Sequence, residues 1–74
     1  MQRSYESSYD LWLKFQDGTY NAVKSVHQNI WIITEKATGE QGWIFSDETE
    51  NFYPEIFTTS DEAFEAMQKY METL

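Results

Sequence analysis

Residues 59–74, TSDEAFEAMQKYMETL, carry the strongest local pattern in the chain and dictate what the remainder must supply. Ala63, Phe64, Met67, Tyr70, Met71 and Leu74 recur at three- and four-residue spacing, which puts them on one stripe of an α-helix. Glu65, Gln68, Lys69 and Glu72 fall mostly between them. Thr59 followed by Glu62 has the form of a capping box, in which each side chain satisfies a backbone N–H of the first turn. Asp61 and Glu62 sit where the positive end of the helix dipole favours acids. About four turns of helix are marginal in water on their own, so the stripe requires a partner surface.

The preceding residues are expected to provide that surface as strands. Tyr9, Leu11, Leu13 and Phe15 alternate with Asp10, Trp12 and Lys14, the two-residue period of a half-buried strand over 9–15, and Asp17-Gly18 follows as a turn. Residues 20–27 make a weaker strand, with Tyr20, Ala22 and Val26 on one parity and Val23 on the other; Gln28-Asn29 fits a break, a bulge or the middle of a longer strand. Residues 30–35 are β-branched and aromatic, 36–39 form a tight hairpin loop ending in Gly39, and 41–46 return as the partner strand. Residues 47–55 are an acidic connection in which Pro54 marks an edge or loop, and Ile56 and Phe57 lead into the helix cap.

The expected fold class is therefore α+β, an antiparallel meander of three to four strands with one C-terminal helix packed on one face. Tyr9, Leu11, Leu13 and Phe15 would face the helix stripe. Trp12 has the opposite parity, and large apolar residues around Trp31 and Trp43 must also point away from the helix. One helix cannot cover both faces of a sheet. A second layer is required from residues 52–57, from another copy of the chain or from a partner protein.

A chain of 74 residues holds one small domain, 1–74, with the polar, aperiodic residues 1–8 loose. It has no cysteine, so neither disulfides nor thiolate metal sites stabilise it, and the 18% aromatic content supplies the core instead. The longest apolar run, residues 30–33, is far short of the roughly 20 residues of a bilayer span. Residues 1–10 lack the apolar segment of a signal peptide, so the chain is expected to be soluble and cytoplasmic, with no membrane partner.

Net charge is −8, and it is unevenly spread. Over residues 1–36, Arg3, Lys14, Lys24 and Lys36 balance Glu6, Asp10, Asp17 and Glu35. Residues 37–68 contain Glu40, Asp47, Glu48, Glu50, Glu55, Asp61, Glu62 and Glu65 with no Lys or Arg. Direct nucleic-acid binding calls for clustered Lys and Arg on phosphates, so this distribution argues against it and favours a basic protein partner.

No catalytic constellation is present. His27 is the lone histidine and reads as a surface residue, and the serines have no setting like a nucleophile elbow. Thirteen carboxylates guarantee chance pairs, which makes a glycosidase-like dyad uninformative. Residues 47–51 begin like a calcium loop but fail at the sharp-turn glycine position, Phe52, and at the closing glutamate position, Thr58. Gly18, Gly39 and Gly42 form no phosphate-binding pattern. No cofactor and no metal is expected, and a core this small leaves little room for a ligand cavity between helix and sheet.

The first functional expectation is a non-enzymatic interaction protein that modulates or inhibits a larger basic, nucleic-acid-binding protein. Asp47, Glu48, Glu50, Glu55, Asp61, Glu62 and Glu65 would form its contact surface, as a mimic of nucleic-acid phosphates if they align. Small acidic inhibitors carried by phages have this size and composition, a likeness of type carried by no motif. The second expectation is a homodimeric structural or assembly module that buries an exposed aromatic sheet face centred on Trp12 and Trp31.

Overall fold

A computed structural model describes residues 1–27, 29–47, 49 and 51–72. The elements in chain order are β1 (Arg3–Ser4), α1 (Ser8–Gln16), β2 (Tyr20–Lys24), β3 (Ile30–Glu35), β4 (Gln41–Phe45), β5 (Glu55–Ile56) and α2 (Ser60–Glu72). The fold is α+β. Strands β2, β3 and β4 form an antiparallel meander, β1 and β5 pair antiparallel in a second small sheet, and α2 packs against β4 and β3.

The meander is registered by Ala22 opposite Ile33, Ile33 opposite Gly42 and Ile32 opposite Trp43. Alternation along the strands then assigns two faces. Tyr20, Ala22, Trp31, Ile33 and Ile44 lie on one, where Ile33 and Ile44 pack with Leu11 of α1 and Ile56 of β5. Ile30, Trp43 and Phe45 lie on the other, packed with Phe57, Ala63, Ala66 and Met67. The sheet is thus covered on both sides, by α1 with β1 and β5 on one and by α2 on the other.

Residues 9–15, expected as a strand, form the core of α1, and this is the main correction to the sequence reading. The Ser7 hydroxyl accepts from the Asp10 N–H at 3.3 Å and caps the helix, Asp10 lies in its first turn and Lys14 in its last. Leu11 and Phe15 are four residues apart, so both face the sheet, whereas Tyr9, Trp12 and Leu13 turn outward. Asp17-Gly18 ends this helix instead of joining two strands: Gly18, at φ 85°, takes the left-handed conformation that follows a helix C-cap. The required second layer is therefore α1, joined by Phe52 and Ile56 from the 52–57 segment.

That segment closes the outer edge of β4. Trp43 and Phe57 exchange backbone hydrogen bonds of 2.9 and 2.7 Å, and the Tyr53 N–H donates to the Phe45 carbonyl at 3.0 Å. Between these contacts the Glu55 N–H turns back onto the Tyr53 carbonyl at 2.8 Å around Pro54, which has no N–H to give. The chain bends there and frees Glu55 and Ile56 to pair with Ser4 and Arg3. Residues 3–5 are thereby held, the Tyr5 N–H donating to the Pro54 carbonyl at 2.9 Å, so the expectation of a loose 1–8 does not hold for them. The Tyr5 and Tyr20 hydroxyls lie 2.5 Å apart; burial first, then this bond, push the Tyr5 phenol well above the usual tyrosine range.

The hairpin loop over 36–39 is as expected, closed by the Glu35 N–H to the Glu40 carbonyl at 2.9 Å. Val26 sits in the β2–β3 turn, almost fully exposed, instead of sharing a strand face with Tyr20; Gln28 lies outside the described residues. In α2, Ala63 is buried and Ala66 and Met67 are half-buried, while Phe64, Tyr70 and Met71 flank the contact; Leu74 lies outside the described residues. Thr59 caps α2 by accepting from the Glu62 N–H at 3.2 Å. The Glu62 carboxylate returns to the Thr59 hydroxyl, 3.2 Å away, and not to its backbone as a standard capping box would.

Candidate functional site

The outward side of α1 presents Tyr9, Trp12 and Leu13, which are 64%, 47% and 40% exposed. Tyr9 and Trp12 are one helical turn apart and their rings stack, with centroids 5.9 Å apart at 22°. Beside them the Ser8 hydroxyl donates to the Phe52 carbonyl at 2.8 Å and pins the start of the helix to the acidic connection. Two hollows meet along this seam and share Ser8, Asn51 and Phe52. The wider, about 430 Å³, lies against Tyr9 and Trp12, and the narrower, about 160 Å³, runs on to Asp47, Tyr53 and Tyr70. Together they form a shallow groove with aromatic walls and a carboxylate at one end.

Asp47 is fixed by its own loop. One carboxylate oxygen accepts from the Thr49 N–H at 2.9 Å, the Thr49 hydroxyl at 2.7 Å and the Asn51 N–H at 3.0 Å. The Thr49 hydroxyl bond first, and the Asn51 N–H next, stabilise the charged form and hold the Asp47 pKa below its ordinary value of 3.8. Asp47 is consequently ionised at neutral pH. Phe45, Tyr53 and Tyr70 build the adjoining wall, with Phe45 and Tyr53 stacked at 4.6 Å and Tyr70 at 5.7 Å from Tyr53.

The other acids expected at the contact surface fall elsewhere. Glu48 and Glu50 lie outside the described residues. Glu55 sits on β5 and accepts from the Gln2 side-chain amide at 3.0 Å. Asp61, Glu62 and Glu65 occupy the first two turns of α2, beside the end where Ser60 lines a shallow hollow together with Trp43 and Ile32. Tyr70, at the other end of α2, borders the groove. With 1.5 Å of rise per residue, these three acids stand about 8 to 14 Å along the helix from it. Asp47 alone among the described acids of that set lines the groove.

The two tryptophans are also separated in kind. Trp12 projects from the helix, so it belongs to no sheet face. Trp31 is half-buried under α1, its ring edge-on to Phe52 at 5.6 Å, its indole N–H donating to the buried Ser46 hydroxyl at 3.0 Å and the Lys24 ammonium 5.5 Å above it. Tyr9, Asn51, Phe52, Tyr53 and Tyr70 are groove residues that the sequence reading did not single out. The signal for Tyr9 was present: Ser7 three residues before Asp10 is a helix start, and it makes Tyr9 and Trp12 neighbours.

Among the described residues no three His, Cys, Asp or Glu side chains converge as metal ligands, and no helix is long and apolar enough to cross a membrane. No protein-family model, curated protein or solved structure matches the chain.

Proposed function

We propose that this is a non-enzymatic interaction protein that binds a basic segment of a larger protein and thereby modulates or inhibits it. The observation that carries this reading is the stacked, exposed Tyr9–Trp12 pair at the mouth of a groove that ends on ionised Asp47, in a chain of net charge −8. An arginine is the side chain that such a groove suits. Its planar guanidinium stacks on aromatic faces and pairs with carboxylates, and it is more weakly hydrated than an ammonium. The remaining acids act at longer range by steering a cationic partner toward the molecule. A phosphate-mimicking inhibitor is the finer version of this reading, supported by the acid-rich residues 37–68.

A nona-arginine peptide titrated into the protein tests the proposal by calorimetry. Binding is expected to weaken steeply with salt and to fall about tenfold on Trp12→Ala, the loss of roughly one cation–π contact, while nona-lysine binds more weakly than nona-arginine. Indifference to Trp12→Ala and Tyr9→Ala would remove the groove from the account, and absence of binding at low salt would remove the basic partner altogether.

A further inference from the structure

We propose that the free edge of β2 is a self-association surface, on which a second copy of this chain pairs antiparallel, β2 against β2, about a two-fold axis through Ala22. Among the described residues the sheet has one closed edge and one open edge. The outer edge of β4 is taken up by residues 53–57, whereas among the described residues β2 pairs with β3 alone. The register shows which groups are unpaired there. Lys36 N–H donates to the Thr19 carbonyl at 3.1 Å and Ser25 N–H to the Ile30 carbonyl at 3.0 Å, so in the register between these two bonds Asn21 and Val23 point their backbone groups at β3. Tyr20, Ala22 and Lys24 therefore aim theirs outward, and these three positions are symmetric about Ala22.

Pairing two such edges sets Ala22 against Ala22 and Tyr20 against Lys24 of the second copy, which closes six N–H···O=C bonds without opposing like charges. The devices that blunt natural edges are missing: β2 has no proline and no bulge, and its lysine is folded back over Trp31, 5.5 Å from the ring. Charge points to the same occupant. Residues 14–36, which hold this edge, carry three lysines against Asp17 and Glu35, while the rest of the chain carries eleven acids against Arg3 and Lys69. Two copies repel over most of their surface and least along β2. This pairing uses none of the groove residues and stands apart from the function proposed above.

Light scattering over a concentration series, combined with residue-resolved amide hydrogen exchange, tests the proposal. The expected result is a dimer in which the amides of Tyr20, Ala22 and Lys24 exchange at least about tenfold more slowly than at dilutions where the monomer prevails, while those of Asn21 and Val23 change little. Ala22→Pro removes an outward N–H and no bond to β3, so it is expected to give a folded monomer. Should that variant lose its fold by circular dichroism, Asn21→Lys combined with Val23→Lys serves instead. Both side chains are exposed, and the pair sets lysines directly across the proposed register. A monomer at all concentrations overturns the proposal, as does a dimer in which the three amides exchange at the monomer rate.

Discussion

Gly42 is where the meander and the β1–β5 pair come closest to leaving no room for a side chain. It lies buried in β4, where a methyl group in place of its hydrogen would run into Ile56 Cγ2 and come within 3.0 Å of the Met1 carbonyl oxygen and 3.1 Å of the Phe57 carbonyl oxygen. Ile56 is β-branched and fully buried, and the carbonyls belong to backbone, so neither can yield without moving packed main chain. Gly42→Ala is expected to cost about 1–3 kcal/mol, the usual range for overpacking a filled core, read as a lower urea midpoint with an unchanged slope. The composition-level expectation that Gly42 belongs to no phosphate loop says nothing of this role. A glycine inside a strand announces a close approach without naming what approaches.

At the scale of elements, α1 decides both the second layer and the groove. Its nine residues, Ser8–Gln16, are too few to be stable alone, so the helix exists because Leu11 and Phe15 dock on the sheet and Ser7 caps the first turn. Ser7→Ala is expected to lose about 0.5–2 kcal/mol, with faster amide exchange confined first to α1 and to the seam at Ser8. Residues 9–15 show why this helix reads as a strand. Seven residues are too short for period to arbitrate: Tyr9, Leu11, Leu13 and Phe15 satisfy a two-residue repeat, while Leu11 with Phe15 and Tyr9 with Trp12 satisfy a helical one. The cap at Ser7 separates the two readings, in the way that Thr59 identified α2 over its longer stretch.

For the whole molecule, acid titration sets two effects against each other. Between pH 7 and about 4 the carboxylates take up protons and the self-repulsion of a −8 chain is relieved, which favours the folded state. Asp17 and Asp47 work in the opposite direction. Each is held below the ordinary aspartate value of 3.8, Asp17 chiefly by the Thr19 hydroxyl and Asp47 chiefly by the Thr49 hydroxyl. A depressed folded pKa means the unfolded chain takes the proton first. The stabilisation is thus complete above the ordinary value and is lost as pH falls through the folded one. The Tm is expected to peak near pH 4–5 and to drop below it, and Asp17→Asn with Asp47→Asn should flatten the acid side of the curve. A wild-type Tm that keeps rising down to pH 2 would show that those turns contribute nothing measurable.

The features readable from residue order are the local ones. The Thr59 cap, the amphipathic run of α2, the loop over 36–39 and the pairing of 30–35 with 41–46 depend on neighbours a few positions apart, and they are where the pattern put them. Burial is different, because it depends on which surfaces meet. Trp12 and Trp31 are the same residue type in similarly apolar surroundings, yet one stacks in the open on Tyr9 and the other lies under α1 with its indole N–H satisfied by Ser46. The acids divide in the same way. Their number and order are covalent facts, but packing of α2 across the sheet brings Tyr70 to Asp47 and carries Asp61 and Glu62 to the far end. Hydrogen-bonded helices and hairpins form from short-range geometry; a groove is made by side chains distant in the chain, and only the docking of α1 and α2 on opposite faces of one sheet, with residues 53–57 along its β4 edge, brings them together.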